Sequence, residues 1–156
     1  MPLEKQVWDV IESNYKSVTP ETPLKEACAI LTGQGKGKPE TLGLVVMRAS
    51  GEYLGLLTVK DILRYVLFLH NRSRVESKGE DWLTHLRDQC ADESLVTVND
   101  VLVRYDLSVH ANQKLLEVIQ IMNEQDVELI PVSDVGKIIG VVRSIDVLAE
   151  ITRLVK

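Results

Sequence analysis

The chain has 156 residues, 45% of them apolar and only 4% aromatic, with a formal net charge of −5. That length and apolar share suit one domain or two closely docked halves with an aliphatic core, and they argue against disorder. The negative charge argues against a general binder of nucleic acid or anionic membrane, although a local basic pocket is compatible with it.

Met1-Pro-Leu-Glu-Lys leads into no signal-like apolar segment, and no run approaches the roughly 18 apolar residues of a membrane span. Cys28 and Cys90 form no CxxC pair and read as reduced thiols. A cytoplasmic protein is the simplest expectation.

The chain is written twice. Residues 7–27, "VWDVIESNYKSVTPETPLKEA", align with 98–118, "VNDVLVRYDLSVHANQKLLEV", with seven identities in 21 positions. Further on, "LGLVVMRASGEYLGLLTVKDIL" aligns with "VELIPVSDVGKIIGVVRSIDVL", so that Gly51 meets Gly136, Gly55 meets Gly140 and Asp61 meets Asp146. One insertion, "GKGKPE" at Gly35 to Glu40, accounts for the change of offset. Self-similarity on this scale signals repeated structural units.

In chain order, each copy opens with a short strand-like piece, Ser17-Val18 or Ser108-Val109. A helix follows, with Pro23 expected at the first helical position of the first copy. In the second copy Leu115, Val118, Ile119 and Met122 show helical spacing. A buried strand comes next, "LGLVVM" or "LIPV". A turn at Ala49-Ser50-Gly51 or Asp134-Val135-Gly136 leads into "YLGLL" or "IIGVV". A last helix opens near Thr58 or Ser144 with an Asp in its first turn. The unit is β-α-β-β-α, an α+β arrangement, over residues 5–69 and 96–152. Residues 70–95 connect the copies, and "SKGEDWLTHLRDQ" within them fits a capping box and short helix.

Two such units, each with "V-x-D-V" at the start and "G-h-h-x-x-x-D-h-h" near the end, resemble a tandem pair of CBS domains (cystathionine β-synthase domains, the Bateman module), here standing alone. The resemblance implies two repeats related by a pseudo-twofold axis, with two clefts between them. It implies a regulatory role, without catalysis, in which AMP, ADP, ATP or S-adenosylmethionine is the ligand. It also implies a homodimer formed through helices of the repeats, regulating an enzyme or transporter that the sequence does not name. The rival reading is a ligand-free dimeric scaffold acting on a partner protein.

By the same resemblance, Thr58 and Asp61 would hold ribose hydroxyls in one cleft. Leu56 would lie beside the ribose, and Leu102, Tyr105, Leu107 and Val127 would form an adenine slot. A carboxylate can accept both ribose hydroxyl protons, and such charge-assisted bonds are the strong ones. Asp61 and Thr58 also suit a helix start, and the two roles are compatible. For the other cleft the matching residues are Asp146, Arg143, Val141, Ile11, Asn14, Lys16 and Leu42. There Arg143 replaces the hydroxyl residue. It would fill the cleft, pair with a phosphate or with a carboxylate such as Asp146, or point to solvent.

"GQGKGKPE" fails the P-loop spacing and reads as a loop. His70, His85 and His110 are isolated, and no Cys or carboxylate cluster has metal-ligand spacing. In "DILRYVLFLHNR" the apolar residues exceed what one helix face buries in a monomer, which points to a subunit contact or to a deeply sunk helix.

Overall fold

In a computed structural model, residues 5–33, 41–76 and 96–155 are described. The "GKGKPE" insertion, the proposed linker helix, His85 and Cys90 lie outside them.

The first half contains β1 (Ser17–Val18), α1 (Leu24–Leu31), β2 (Gly43–Met47), β3 (Tyr53–Thr58) and α2 (Val59–Glu76). The second contains a helical turn, α3 (Val98–Val101), then β4 (Arg104–Tyr105), β5 (Val109–His110), α4 (Leu115–Gln125), β6 (Leu129–Asp134), β7 (Lys137–Arg143) and α5 (Ser144–Leu154). Pro23 stands one residue before the expected place, as the N-cap of α1 with an extended ψ of 139°. Its carbonyl accepts from the N–H groups of Glu26 and Ala27, so it starts the helix from outside.

β1 runs parallel to β2, and α1 supplies the crossover that a parallel pair requires. β2 and β3 form an antiparallel hairpin, as do β6 and β7, while β5 lies parallel to β6. The β-branched and leucine residues of β2 and β6 are buried on both faces, which is why these strands read as continuous apolar runs.

The halves exchange their leading segments. β4, from the second repeat, closes the edge of β3, pairing Tyr105 with Gly55 and Arg104 with Leu56. On the other side Glu12 and Val141 exchange both backbone hydrogen bonds, each 2.8 Å. A Cβ on Gly55 would lie 2.3 Å from the Arg104 carbonyl oxygen, and one on Gly140 would lie 2.6 Å from that of Glu12. Only glycine permits either approach.

The "V-x-D-V" frames belong to this exchange. Val7 heads a 3-10 turn (Val7–Asp9), and Asp9 caps it by accepting the Gln6 N–H at 3.0 Å. Asp100 accepts the Thr97 N–H at 2.8 Å in the same way. Val7 is fully buried in the core of the second half with Val118 and Ile130; Val98 is fully buried in the core of the first with Ala27 and Leu57. Burying each valine is worth about 1.5–3 kcal/mol, so each half draws stability from the other.

Candidate functional site

Two cavities follow from the pseudo-symmetry. One, of about 220 Å³, is lined by Leu42, Thr58, Val59, Lys60, Asp126, Val127 and Glu128. The other, of about 210 Å³, is lined by Thr41, Leu42, Glu128, Leu129, Arg143, Ser144 and Ile145. Each combines the last strand and last helix of one repeat with the opening of the buried hairpin of both. Leu42 and Glu128 wall both cavities.

Thr58 ends β3 at the mouth of α2 because it caps that helix. Its hydroxyl accepts the Asp61 N–H at 3.2 Å, and Asp61 Oδ2 accepts the Thr58 N–H at 3.1 Å. This reciprocal box fixes the carboxylate one turn behind the cavity, with its side chain 0% exposed. The Asp61 carboxylate is not left to backbone alone. Arg104 Nε donates to Oδ1 at 3.2 Å and to Oδ2 at 3.1 Å, while Arg64 Nη1 approaches Oδ1 at 3.4 Å. Arg104 Nη1 also donates to the Gln125 carbonyl at 2.8 Å, at the end of α4. Beside it Lys60 meets Asp126 at 2.6 Å across the two repeats. The hydrogen bond from Lys60 and then its charge, with Arg104 and Arg64 adding, hold the Asp126 carboxyl below the usual range.

The second half is wired differently. Arg143 donates from Nε to Asp146 Oδ2 at 2.6 Å and from Nη2 to Oδ1 at 3.0 Å, a bidentate pair within one repeat. Its Nη2 lies 3.7 Å from Glu12 of the exchanged segment. Of the three readings of Arg143, the carboxylate pair is the one present, and the same side chain lines the cavity.

The remaining predicted residues divide. Thr58 and Val127 line the first cavity together. Leu42 belongs to both, which corrects its assignment to the second cleft alone. Leu56 and Val141 are corrected too. Their side chains are buried in the core between the halves, and neither lines a cavity among those described. Leu102 is likewise a core residue of the first half. Tyr105 is exposed on β4, and Leu107 packs partly on the core, its carbonyl accepting the Tyr53 hydroxyl; neither lines a cavity among those described. Asp146 lines a separate depression of about 250 Å³ with Ile11, Glu12, Glu150 and Arg153. Asn14 is exposed, its N–H donating to Glu12 Oε1. Lys16 is exposed beside β1, its carbonyl accepting the Val45 N–H.

Arg104, Lys60 and Asp126 were not legible as site residues. Arg104 aligns with Ser13 in the other copy, so the repeat carries no signal for it. Lys60 and Asp126 meet only through the fold, 66 residues apart. Among the described residues no group of three or more His, Cys, Asp or Glu is placed to hold a metal, and no helix is long and apolar enough to cross a membrane.

Two β-α-β-β-α halves with exchanged edges and paired interfacial clefts define a tandem-repeat architecture. The model of the CBS domain family matches residues 7–68 and 96–153, and the chain belongs to that family. No curated protein matches in sequence. Among solved structures, CBSX2 in complex with AMP is 19% identical, with a TM-score of 0.68 over 97% of this chain and 98% of that one. An uncharacterized conserved protein from Pyrococcus horikoshii is 23% identical, with a TM-score of 0.66 over 98% and 96%. MJ1225 from Methanocaldococcus jannaschii, a candidate archaeal homologue of g-AMPK, is 22% identical, with a TM-score of 0.70 over 95% of this chain and 48% of that one. These likenesses concern the fold.

Proposed function

We propose that this CBS pair is a regulatory module that takes an adenosyl compound, of the class AMP, ADP, ATP or S-adenosylmethionine, in the Thr58 cleft. The observation that carries the reading is the juxtaposition of a hydroxyl, a buried carboxylate and an apolar slot at one inter-repeat seam: Thr58, Asp61, Leu42 and Val127. Leu42, Val59 and Val127 offer a face for a base, and Thr58 offers a hydroxyl for a ribose, with the buried Asp61 carboxylate held behind it by the cap and Arg104. The AMP-bound CBSX2 fold supports the class of ligand. Either cavity alone is smaller than the roughly 300 Å³ of a usual ligand site. Because both share Leu42 and Glu128, a ligand spanning that boundary has room that neither cavity offers singly. A ligand favouring one arrangement of the seam would shift the pair between states, and through them a regulated partner.

Calorimetry with AMP and ATP on the parent chain and on Asp61→Asn tests this. The parent should bind at least one, and the Asn variant, which keeps size but loses the charged acceptor, should bind at least about tenfold more weakly. Equal affinities in parent and variant would remove Asp61 from the site. No binding of any adenosyl compound would favour the ligand-free scaffold.

A further inference from the structure

Most of the acceptor capacity of Asp61 is already spent. Two carboxylate oxygens offer about four lone-pair sites. Oδ2 accepts the Thr58 N–H, the single Nε–H of Arg104 is shared between Oδ2 and Oδ1, and Oδ1 also faces Arg64 Nη1. A ribose diol would need two of these acceptors. The backbone N–H of Thr58 is fixed by the cap, so an incoming diol must take at least one of them from the guanidinium groups. Arg64 is a surface side chain at 63% exposure, whereas Arg104 is 11% exposed and anchored at its other end on the Gln125 carbonyl. Arg104 is therefore the main competitor.

We propose that Arg104 is the gate and specificity residue of the Thr58–Asp61 cleft: it holds Asp61 against neutral nucleosides and yields it to a ligand whose own anion takes over the guanidinium. This rests on the nucleoside reading above and adds the rule by which ligands are chosen. Displacing a nearly buried guanidinium from a buried carboxylate leaves a cation without its partner, which is strongly unfavourable. A phosphate re-pairs it in the planar, two-pronged geometry that guanidinium suits. The surrounding charge agrees. Lys60, Arg64 and Arg104 balance Asp61, Asp126 and Glu128, which also lines this cavity. Around Arg143 stand Glu12, Asp146 and Glu128, an excess of two anions, so the second cavity is the less favourable one for a phosphate. The gate also crosses the repeats, because β4 carries Arg104 and α2 carries Asp61. Its release would loosen the seam at the moment the ligand enters.

Isothermal calorimetry with AMP and adenosine on the parent, Arg104→Met and Arg104→Lys tests the gate. The parent should prefer AMP over adenosine by about tenfold or more. In Arg104→Met, adenosine should bind more tightly than to the parent and AMP more weakly. The Lys variant should retain a preference for AMP. A structural role alone would weaken both ligands together, and that result overturns the gate while leaving the nucleoside reading intact. So does a parent that binds adenosine as tightly as AMP, a result that needs no variant to fold. If parent and variants all bind neither compound the gate falls, and the nucleoside reading falls with it when ADP, ATP and S-adenosylmethionine also fail to bind the parent.

Discussion

At the scale of single residues, Val135 is held where its side chain is least suited. It sits at φ 50° and Gly136 at φ 78°, the two positive-φ positions of a two-residue hairpin between β6 and β7. A β-branched residue there carries strain, and Val135 is 93% exposed, so it regains nothing by burial. Val135→Asn should raise stability by about 1 kcal/mol, read as an upward shift of the urea midpoint. An unchanged or lower midpoint would show that the turn is unstrained. The pair at the cleft behaves oppositely. Asp61→Ala would leave Arg104 buried without its carboxylate, at a cost of about 3–5 kcal/mol. Asp61→Asn removes the same charge but keeps an acceptor for the helix cap, so its binding loss is to be read beside its own denaturation curve. Acid should act through Asp126 and Glu150. Hydrogen bonds from Lys60 and Lys5, respectively, hold both carboxyls below the usual range. The ionised forms therefore support the fold fully above about pH 4 and that support is lost as pH falls through the lowered values. Asn suits the left-handed conformation of Asp126, so Asp126→Asn should leave a shallower fall of Tm between about pH 5 and 2 than the parent shows. Parallel curves would remove this pair from the acid response.

At the scale of elements, the repeated frames marked the seam more faithfully than the clefts. The identities Val7 with Val98 and Asp9 with Asp100 record a buried valine and a capping carboxylate, each demanded twice by the same backbone. Gly55 with Gly140 records the two places where a foreign chain passes within reach of a Cβ. Periodicity found β2 and β6 because burial on both faces leaves no polar interruption in them, but it gave no sign of α3 or β4, and α2 runs on to Glu76, past the expected end at Leu69. It could not say which half each leading segment joins, since that is a question of partner and periodicity reports only a face. The cleft was less legible for the same reason. Leu56 was expected beside the ribose by resemblance alone, and its side chain is buried in the core between the halves because β3 is covered on both faces. Arg104 was invisible because charge pairing across 43 residues leaves no local pattern. Gly55→Ala and Gly140→Ala should each cost about 2–4 kcal/mol by forcing the exchanged segment off its strand. Gly51→Ala, at φ 95° with open space around it, should cost only about 1 kcal/mol. Chemical denaturation of the three variants checks the order, and equal losses would deny the seam its tight approach.

At the scale of the whole molecule, the last helices of both repeats keep an apolar stripe open to solvent in the single chain. Leu63, Leu67 and Phe68 on α2 are exposed, as are Ile145 and Leu148 on α5. Leu63 and Leu148 occupy the same place in the two copies, at 61% and 57% exposure. Leu148 also borders a groove of about 340 Å³ between α4 and α5 with Met122 and Ile151. α2 is thus not sunk within the monomer over these residues. A homodimer covering both stripes is the assembly we propose, because paired and equivalent patches suit a twofold contact. Light scattering should give twice the chain mass for the parent and the chain mass for the double variant Leu63→Glu with Leu148→Glu. A parent that runs as a monomer at about 100 μM would sink this assembly.

The exchanged edges have a consequence for how the chain can be divided. Each half lends the other a segment that fills its core and completes its sheet, so neither is a self-sufficient folding unit. A chain cut between Glu76 and Val96 would yield two fragments, each poorly folded by itself, that recover the native spectrum on mixing. The pair is in that sense a built-in complementation system, in which reassembly reports directly on the integrity of the seam and on any ligand that tightens or loosens it.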